Sequence, residues 1–140
     1  MHRKWIKVDI KKCTGCRLCE TACSFKHEIN EVNPRLSRIR VAKNELEGID
    51  APNVCRQCKV AFCAEACPVD AISFNDILCA WVVDESTCIG CGLCVEACPF
   101  DSMYMHPAEG IVKKCDLCRG DEPACIEICP TGALTIDEGE

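Results

Sequence analysis

Cys88, Cys91 and Cys94 stand three residues apart, Cys98 follows four residues later, and Pro99 comes next. Thiolate is the metal-binding form of cysteine. The spacing C-x2-C-x2-C-x3-C-P is the ligand run of 4Fe–4S clusters, whose chemistry is the transfer of single electrons. Three further runs repeat the theme. Cys55, Cys58, Cys63 and Cys67 precede Pro68, with a four-residue middle gap. Cys115, Cys118, Cys125 and Cys129 precede Pro130, with a six-residue gap. Cys13, Cys16, Cys19 and Cys23 end on Ser24, where the other runs have proline. All but one of the 17 cysteines are thereby candidate ligands.

In such a run the first three cysteines hold one cluster. The fourth, about one helical turn further on, reaches the other cluster of a pair. Gly15, Gly90 and Gly92 let the loop backbone approach closely, and the proline sets the exit direction. The runs must therefore be positioned two by two.

Short alternating segments flank them and read as strands. These are KWIKVDIK (4–11) before the first run and ALTI (133–136) after the last. AISF (71–74) and AWVV (80–83) form a hairpin turning near Asn75-Asp76. SMYMH (102–106) and GIVKK (110–114) form another around Pro-Ala-Glu-Gly. Residues 30–53 connect the first two runs through Pro34, a basic strand candidate SRIRV (37–41) and an acidic stretch before Pro52. Without a proline at Ser24, a helix continues from Cys19 into SFKHEI, while the polar tail after Ile136 is expected to fray. CPVDAISF, CPFDSMYM and CPTGALTI share one pattern, so the chain is an internal repeat.

Runs two and three enclose the AISF–AWVV hairpin, whereas runs one and four own the outermost strands, which can pair with each other. The runs therefore nest. The predicted ligand sets are Cys55, Cys58, Cys63 with Cys98, and Cys88, Cys91, Cys94 with Cys67. The outer sets are Cys13, Cys16, Cys19 with Cys129, and Cys115, Cys118, Cys125 with Cys23. A sequential pairing, one with two and three with four, stays open at this point.

Zinc is the main rival, but zinc knuckles take cysteines in twos rather than three plus one. Disulfides need an oxidising compartment and usually an even count. Cys79 is left over and reads as a small buried thiol. His2, His27 and His106 are scattered without a carboxylate pattern, and Met103, Tyr104 and Met105 read as strand packing. Arg17, Arg56, Lys59 and Arg119 lie in the cluster loops beside Glu20, Glu65, Glu96 and Asp116, so their effects on potential roughly cancel. No nucleophile–base set or phosphate loop occurs, and the chain is expected to move electrons without transforming a substrate.

Composition agrees. Setting the cysteines aside, the apolar fraction falls from 49% to roughly 37%, a thin core of the kind that metals supplement. The formal charge is −6. Sixteen thiolates around four 2+ cores would add roughly eight negative charges, which excludes nucleic acid as a partner. No apolar run is long enough for a membrane span, and the basic start MHRKWIKVDIKKC lacks the apolar stretch of a secretory signal. The expected location is cytoplasmic.

The order CETACSFKHE, NPRLSRIRV, CRQC-x4-CAEACP, CIGCGLCVEACPF, then KCDLC and CIEICPTGAL resembles the four-cluster ferredoxin-like electron-transfer subunits. These accompany molybdenum or tungsten pterin oxidoreductases such as dimethyl-sulfoxide reductase and formate dehydrogenase, and also carbon monoxide dehydrogenase and some hydrogenases. The resemblance implies an α+β fold of two nested ferredoxin-like modules, with short antiparallel hairpins and short helices. The inner module is about 53–108, and the outer about 1–52 plus 109–140. It implies four 4Fe–4S clusters, runs paired one with four and two with three, a catalytic large subunit and a second redox protein. The compact form is most similar to the small subunit of tungsten-dependent aldehyde oxidoreductases. A free-standing polyferredoxin is the alternative, and self-association into longer wires is a further expectation.

Overall fold

The computed structural model describes residues 2–28, 32–44 and 46–139. Along the chain come β1 (Arg3–Val8), α1 (Leu18–His27), a 3-10 turn (Pro34–Leu36), β2 (Arg40–Asn44) and β3 (Ile49–Asn53). Next are α2 (Phe62–Ala66), β4 (Ile72–Asn75), β5 (Ala80–Val83), α3 (Leu93–Ala97), β6 (Tyr104–Met105) and β7 (Val112–Lys113). A second 3-10 turn (Leu117–Gly120), α4 (Ala124–Ile128) and β8 (Leu134–Gly139) complete the order. The fold is α+β, with antiparallel pairs β1–β8, β2–β3, β4–β5 and β6–β7.

Proline placement sets the helix lengths. A residue before proline is pushed out of helical geometry. Cys67, Cys98 and Cys129 each precede a proline and adopt extended dihedrals (φ −74, −70 and −65) that stop α2, α3 and α4 after five residues. Ser24 lifts that restriction, and α1 runs ten residues through Cys23. Ser24 is fully buried, its hydroxyl bonding the Thr21 carbonyl at 3.0 Å. Ile29 of the expected helical segment lies outside the described residues.

Strand pairing brings the first and last segments together. β1 and β8 run antiparallel from Arg3 opposite Gly139 to Val8 opposite Leu134. Ile6 and Leu134 are buried, and α1 packs on α4 beside them, while α2 packs on α3. One core joins Ile6, Ile39, Val41, Val54, Leu117 and Leu134 with five buried cysteines. A second gathers Ile72, Cys94, Met103 and Val112.

Several expectations are corrected. β1 ends at Val8, because Asp9 turns the chain, its carboxylate accepting the Lys11 N–H at 3.0 Å. The strand expected over 37–41 begins only at Arg40, since the Ser37 hydroxyl bonds both the carbonyl and the N–H of Ile39 and bends the backbone. β3, in the acidic stretch, was not foreseen; its Pro52 sits opposite Val41 in an isolated pair, where a missing N–H is tolerated. The polar tail does not fray but extends β8 to Gly139, with Glu138 facing Lys4 across the sheet.

Candidate metal centres

All four cysteine runs share one left-handed position. The second residue inside each opening Cys-x2-Cys is left-handed: Gly15 (φ 72), Gln57 (φ 48), Gly90 (φ 73) and Leu117 (φ 56). The third residue after each Cys-Pro cysteine is left-handed too: Asp70, Asp101 and Gly132. These turns aim backbone N–H groups at sulfur. Ala71 N donates to Cys67 Sγ at 3.2 Å, Ser102 N to Cys98 Sγ at 3.5 Å and Gln57 N to Cys55 Sγ at 3.5 Å. Cys23 has no proline turn and receives Arg38 N instead, at 3.3 Å.

Twelve of the thiols gather in three groups of four. One cavity is lined by Cys55, Cys58, Cys63 and Cys98. A second is lined by Cys13, Cys16, Cys19 and Cys129, and a third by Cys23, Cys115, Cys118 and Cys125. Cys94 lies close enough to Cys88 and Cys91 for their charges to oppose its own ionisation. Cys67 ends α2, the helix packed on α3.

The electrostatics of these groups call for a cation. Burial, then the neighbouring Glu20, Cys13 and Cys16 charges, push the Cys19 thiol up to about 12 against a bond from the Glu20 backbone. Burial and then Cys55 do the same for Cys115, and burial followed by the nearby thiols of Cys115, Cys23, Cys118 and Cys19 raises Cys125. Cys63 rises to about 11, mainly through burial. Four sulfurs around one space become thiolates only when metal charge draws their protons off. Among the described residues, no group of three or more His, Cys, Asp or Glu converges on a single-ion position. Thiols that ring a cavity suit a polynuclear core rather than a lone zinc, whose thiolates sit about 2.3 Å away. The donor set therefore fits iron–sulfur clusters.

The remaining residues fall differently. Cys79 is half-buried rather than buried, sits in a left-handed turn (φ 57) and offers its carbonyl to Lys4 N. The histidines do have partners. His106 Nε2 lies 3.0 Å from Glu28 Oε1 and His2 lies 3.6 Å from Glu138. His27 Nε2 lies 3.8 Å from Cys118 Sγ, and burial, then Arg38, push its pKa down to about 4. Separations of 78 residues for Glu28–His106 and 91 for His27–Cys118 hid these pairs, and His2 meets its partner across the β1–β8 pairing. Arg17 pairs with Glu20 (3.1 Å) and Arg119 with Asp116 (3.3 Å) within their loops, whereas Arg56 stacks on Phe100 at 4.0 Å. Gln57 drew no notice in the sequence. It is fully buried, and its left-handed backbone is held by its own side chain, which bonds Cys115 O (2.7 Å) and Trp81 N (2.8 Å).

Comparison with known proteins agrees with this geometry. The sequence model described as a 4Fe-4S dicluster domain matches residues 47–139, and one described as a 4Fe-4S binding domain matches 10–26. The chain is 46% identical to the aliphatic sulfonate oxidoreductase polyferredoxin-like subunit of Pyrococcus furiosus, over 91% of this chain and 72% of that one. It is 38% identical to the thiosulfate reductase electron transfer subunit PhsB of Salmonella typhi, over 94% and 76%. Among solved structures, the active site complex BamBC of benzoyl coenzyme A reductase superposes with a TM-score of 0.62 at 30% identity, covering 100% of this chain and 81% of that one. The chain belongs to the 4Fe-4S dicluster family and is an electron-transfer iron–sulfur subunit of the kind that serves oxidoreductase complexes.

Proposed function

We propose that the chain holds four 4Fe–4S clusters in the nested ligand sets and relays single electrons between a catalytic subunit and a second redox protein. The observation that carries this reading is the lining of the three cavities, each by one nested set of four cysteines. Cys129 lines the cavity of Cys13, Cys16 and Cys19, which supports the nested pairing over the sequential one. Each bound cluster supplies a one-electron acceptor and donor. The protein's own residues hold the thiolates, aim N–H groups at sulfur and exclude water around Cys19, Cys23, Cys115 and Cys125, which are buried.

The inner module then spans about 53–108, and the outer module about 1–52 plus 109–140. The catalytic partner we favour is a tungsten- or molybdenum-pterin oxidoreductase, as the ordered motifs suggest, with the aldehyde oxidoreductase type the nearest likeness. The relatives named as subunits of sulfonate and thiosulfate enzymes support a large catalytic partner. All cysteines are free, which suits a reducing compartment such as the cytoplasm. The role is non-catalytic, with end-to-end self-association a further expectation.

Anaerobic purification tests this reading. Expected are about 16 iron and 16 sulfide per chain and co-elution with a pterin-containing large subunit. Zinc in place of iron overturns it. An iron-replete monomer, reducible alone in solution, assigns the chain instead to diffusible carriers.

A further inference from the structure

Among the described residues, three lysine or arginine side chains are buried: Arg38, Lys113 and Lys114. Two have carboxylate partners. Arg38 meets Asp116 at 3.1 Å and Glu85 at 3.7 Å, and Lys113 meets Glu85 at 2.6 Å and Glu109 at 2.7 Å. Lys114, 2% exposed, has none among the described residues. Its ammonium donates to Cys115 O at 2.7 Å, to Trp81 O and to Gln57 Oε1 at 3.4 Å, all neutral acceptors. Three donors have three acceptors, so the hydrogen bonding is satisfied while the charge is not. A buried ammonium without a counter-charge is costly.

Its position says what supplies that counter-charge. Lys114 lines the cavity of Cys55, Cys58, Cys63 and Cys98. The next residue, Cys115, lines the cavity of Cys23, Cys118 and Cys125. Gln57 spans the same boundary, with Nε2 on Cys115 O and its own loop in the first cavity. Lys114 thus stands where the two halves of the molecule meet, between two thiol cages.

We propose that Lys114 is the shared counter-charge of these two cages and raises the reduction potential of both. The inference rests on the cluster reading above. Adding one electron to either centre adds one negative charge, and a fixed cation in a low-dielectric interior stabilises that reduced form. Salt screens such a buried charge little. The junction between the modules is then where an electron rests most readily.

Potentiometric titration of the full iron-loaded chain with dithionite, followed by electron paramagnetic resonance, tests this. In Lys114→Met with full iron, two of the four midpoints should fall. Each fall should reach at least tenfold in the reduction equilibrium constant, 59 mV for a one-electron couple. Lys114→Arg, which keeps the charge, should restore them. Four unchanged midpoints, or one uniform shift of all four, overturn the proposal. If Lys114→Met loses iron, Gln57→Glu places a carboxylate beside the retained ammonium and should lower the same two midpoints. Unchanged midpoints there, or failure of both variants to load iron, overturn it as well, because the lysine then serves folding alone. Wild-type protein without 4Fe–4S signals would sink the cluster reading instead, before any variant is made.

Discussion

Gly90 and Gly92 sit two residues apart in one cysteine loop, at φ +73 and +77, yet alanine should cost them very different amounts. Each substitution forces a side chain into the left-handed region, at about 1–2 kcal/mol. A Cβ on Gly92 meets nothing within 4 Å. A Cβ on Gly90 would collide with the carbonyl oxygen of Gly110 and touch Met105 Cε at 3.6 Å. That carbonyl is backbone in the β6–β7 turn, pinned by Gly110 N–H on His106 O at 2.9 Å. Relief requires the turn to shift, adding about 1–3 kcal/mol of overpacking. Gly90→Ala should therefore cost roughly 2–5 kcal/mol in all. At 1.36 kcal/mol per tenfold, the difference between the two variants is about 5- to 150-fold in a local opening constant. The assay is the anaerobic loss of visible cluster absorption at fixed urea. Gly90→Ala should bleach faster than Gly92→Ala by that factor. Equal rates for the two would refute the argument from packing.

Other expectations follow from the same geometry. Cys129→Ser should perturb the cluster of Cys13, Cys16 and Cys19 in its resonance spectrum; a change confined to that of Cys88, Cys91 and Cys94 would sink the nested assignment. Leu134→Ala, buried opposite Val8, should cost about 2–5 kcal/mol, measured as a lowered urea midpoint. The bond from Lys113 holds the Glu109 carboxyl below its ordinary 4.5, outweighing the opposing effect of burial. A depressed folded-state value means stability that is full above 4.5 and lost as pH falls through the lower value. Burial would lower the Lys113 pKa, but its bonds to Glu109 and Glu85 outweigh burial and raise it above 10.5. That contribution is full below 10.5 and lost as pH rises through the raised value. The stability gap between wild type and Glu109→Gln should therefore stay flat between those limits and shrink below 4.5, as read by urea melts across pH. Stripping iron with a chelator should collapse the far-ultraviolet circular dichroism, because five of the twelve residues in the larger core are cysteines. Persistence of native dichroism would contradict this.

The cysteine spacings made the sites legible because the ligand rule is local: thiols two or three residues apart share a loop whatever surrounds them. The first hairpin was legible for the same reason, with β4 and β5 close to the expected residues, whereas the second keeps only Tyr104–Met105 and Val112–Lys113 of the strands expected over 102–106 and 110–114. Ser24 in place of proline foretold the long α1. Position-specific backbone chemistry was less visible. Gln57 and Leu117 occupy left-handed positions where Gly15 and Gly90 advertise themselves, so the sequence alone does not reveal the shared turn. β3 hid because its proline and acidic neighbours argue against a strand, and only pairing with β2 overrides them. Contacts between distant segments, such as Glu28–His106 and Gln57–Cys115, leave no periodic trace. Lys114 looks like any surface lysine until the fold buries it.

The pairing of Arg3 with Gly139 also dictates an order of events during synthesis. A chain leaving the ribosome has the β4–β5 hairpin, α2 and α3 in hand once residue 98 has emerged. Under the nested assignment proposed above, the loop of Cys13, Cys16 and Cys19, made first, must wait for α4, Cys129 and β8, made last. The nascent protein therefore carries its earliest thiols unclosed longest, and iron delivery should finish the middle of the chain before its ends. A stop codon shortly before Cys129 would leave the inner half buildable and the outer half permanently open.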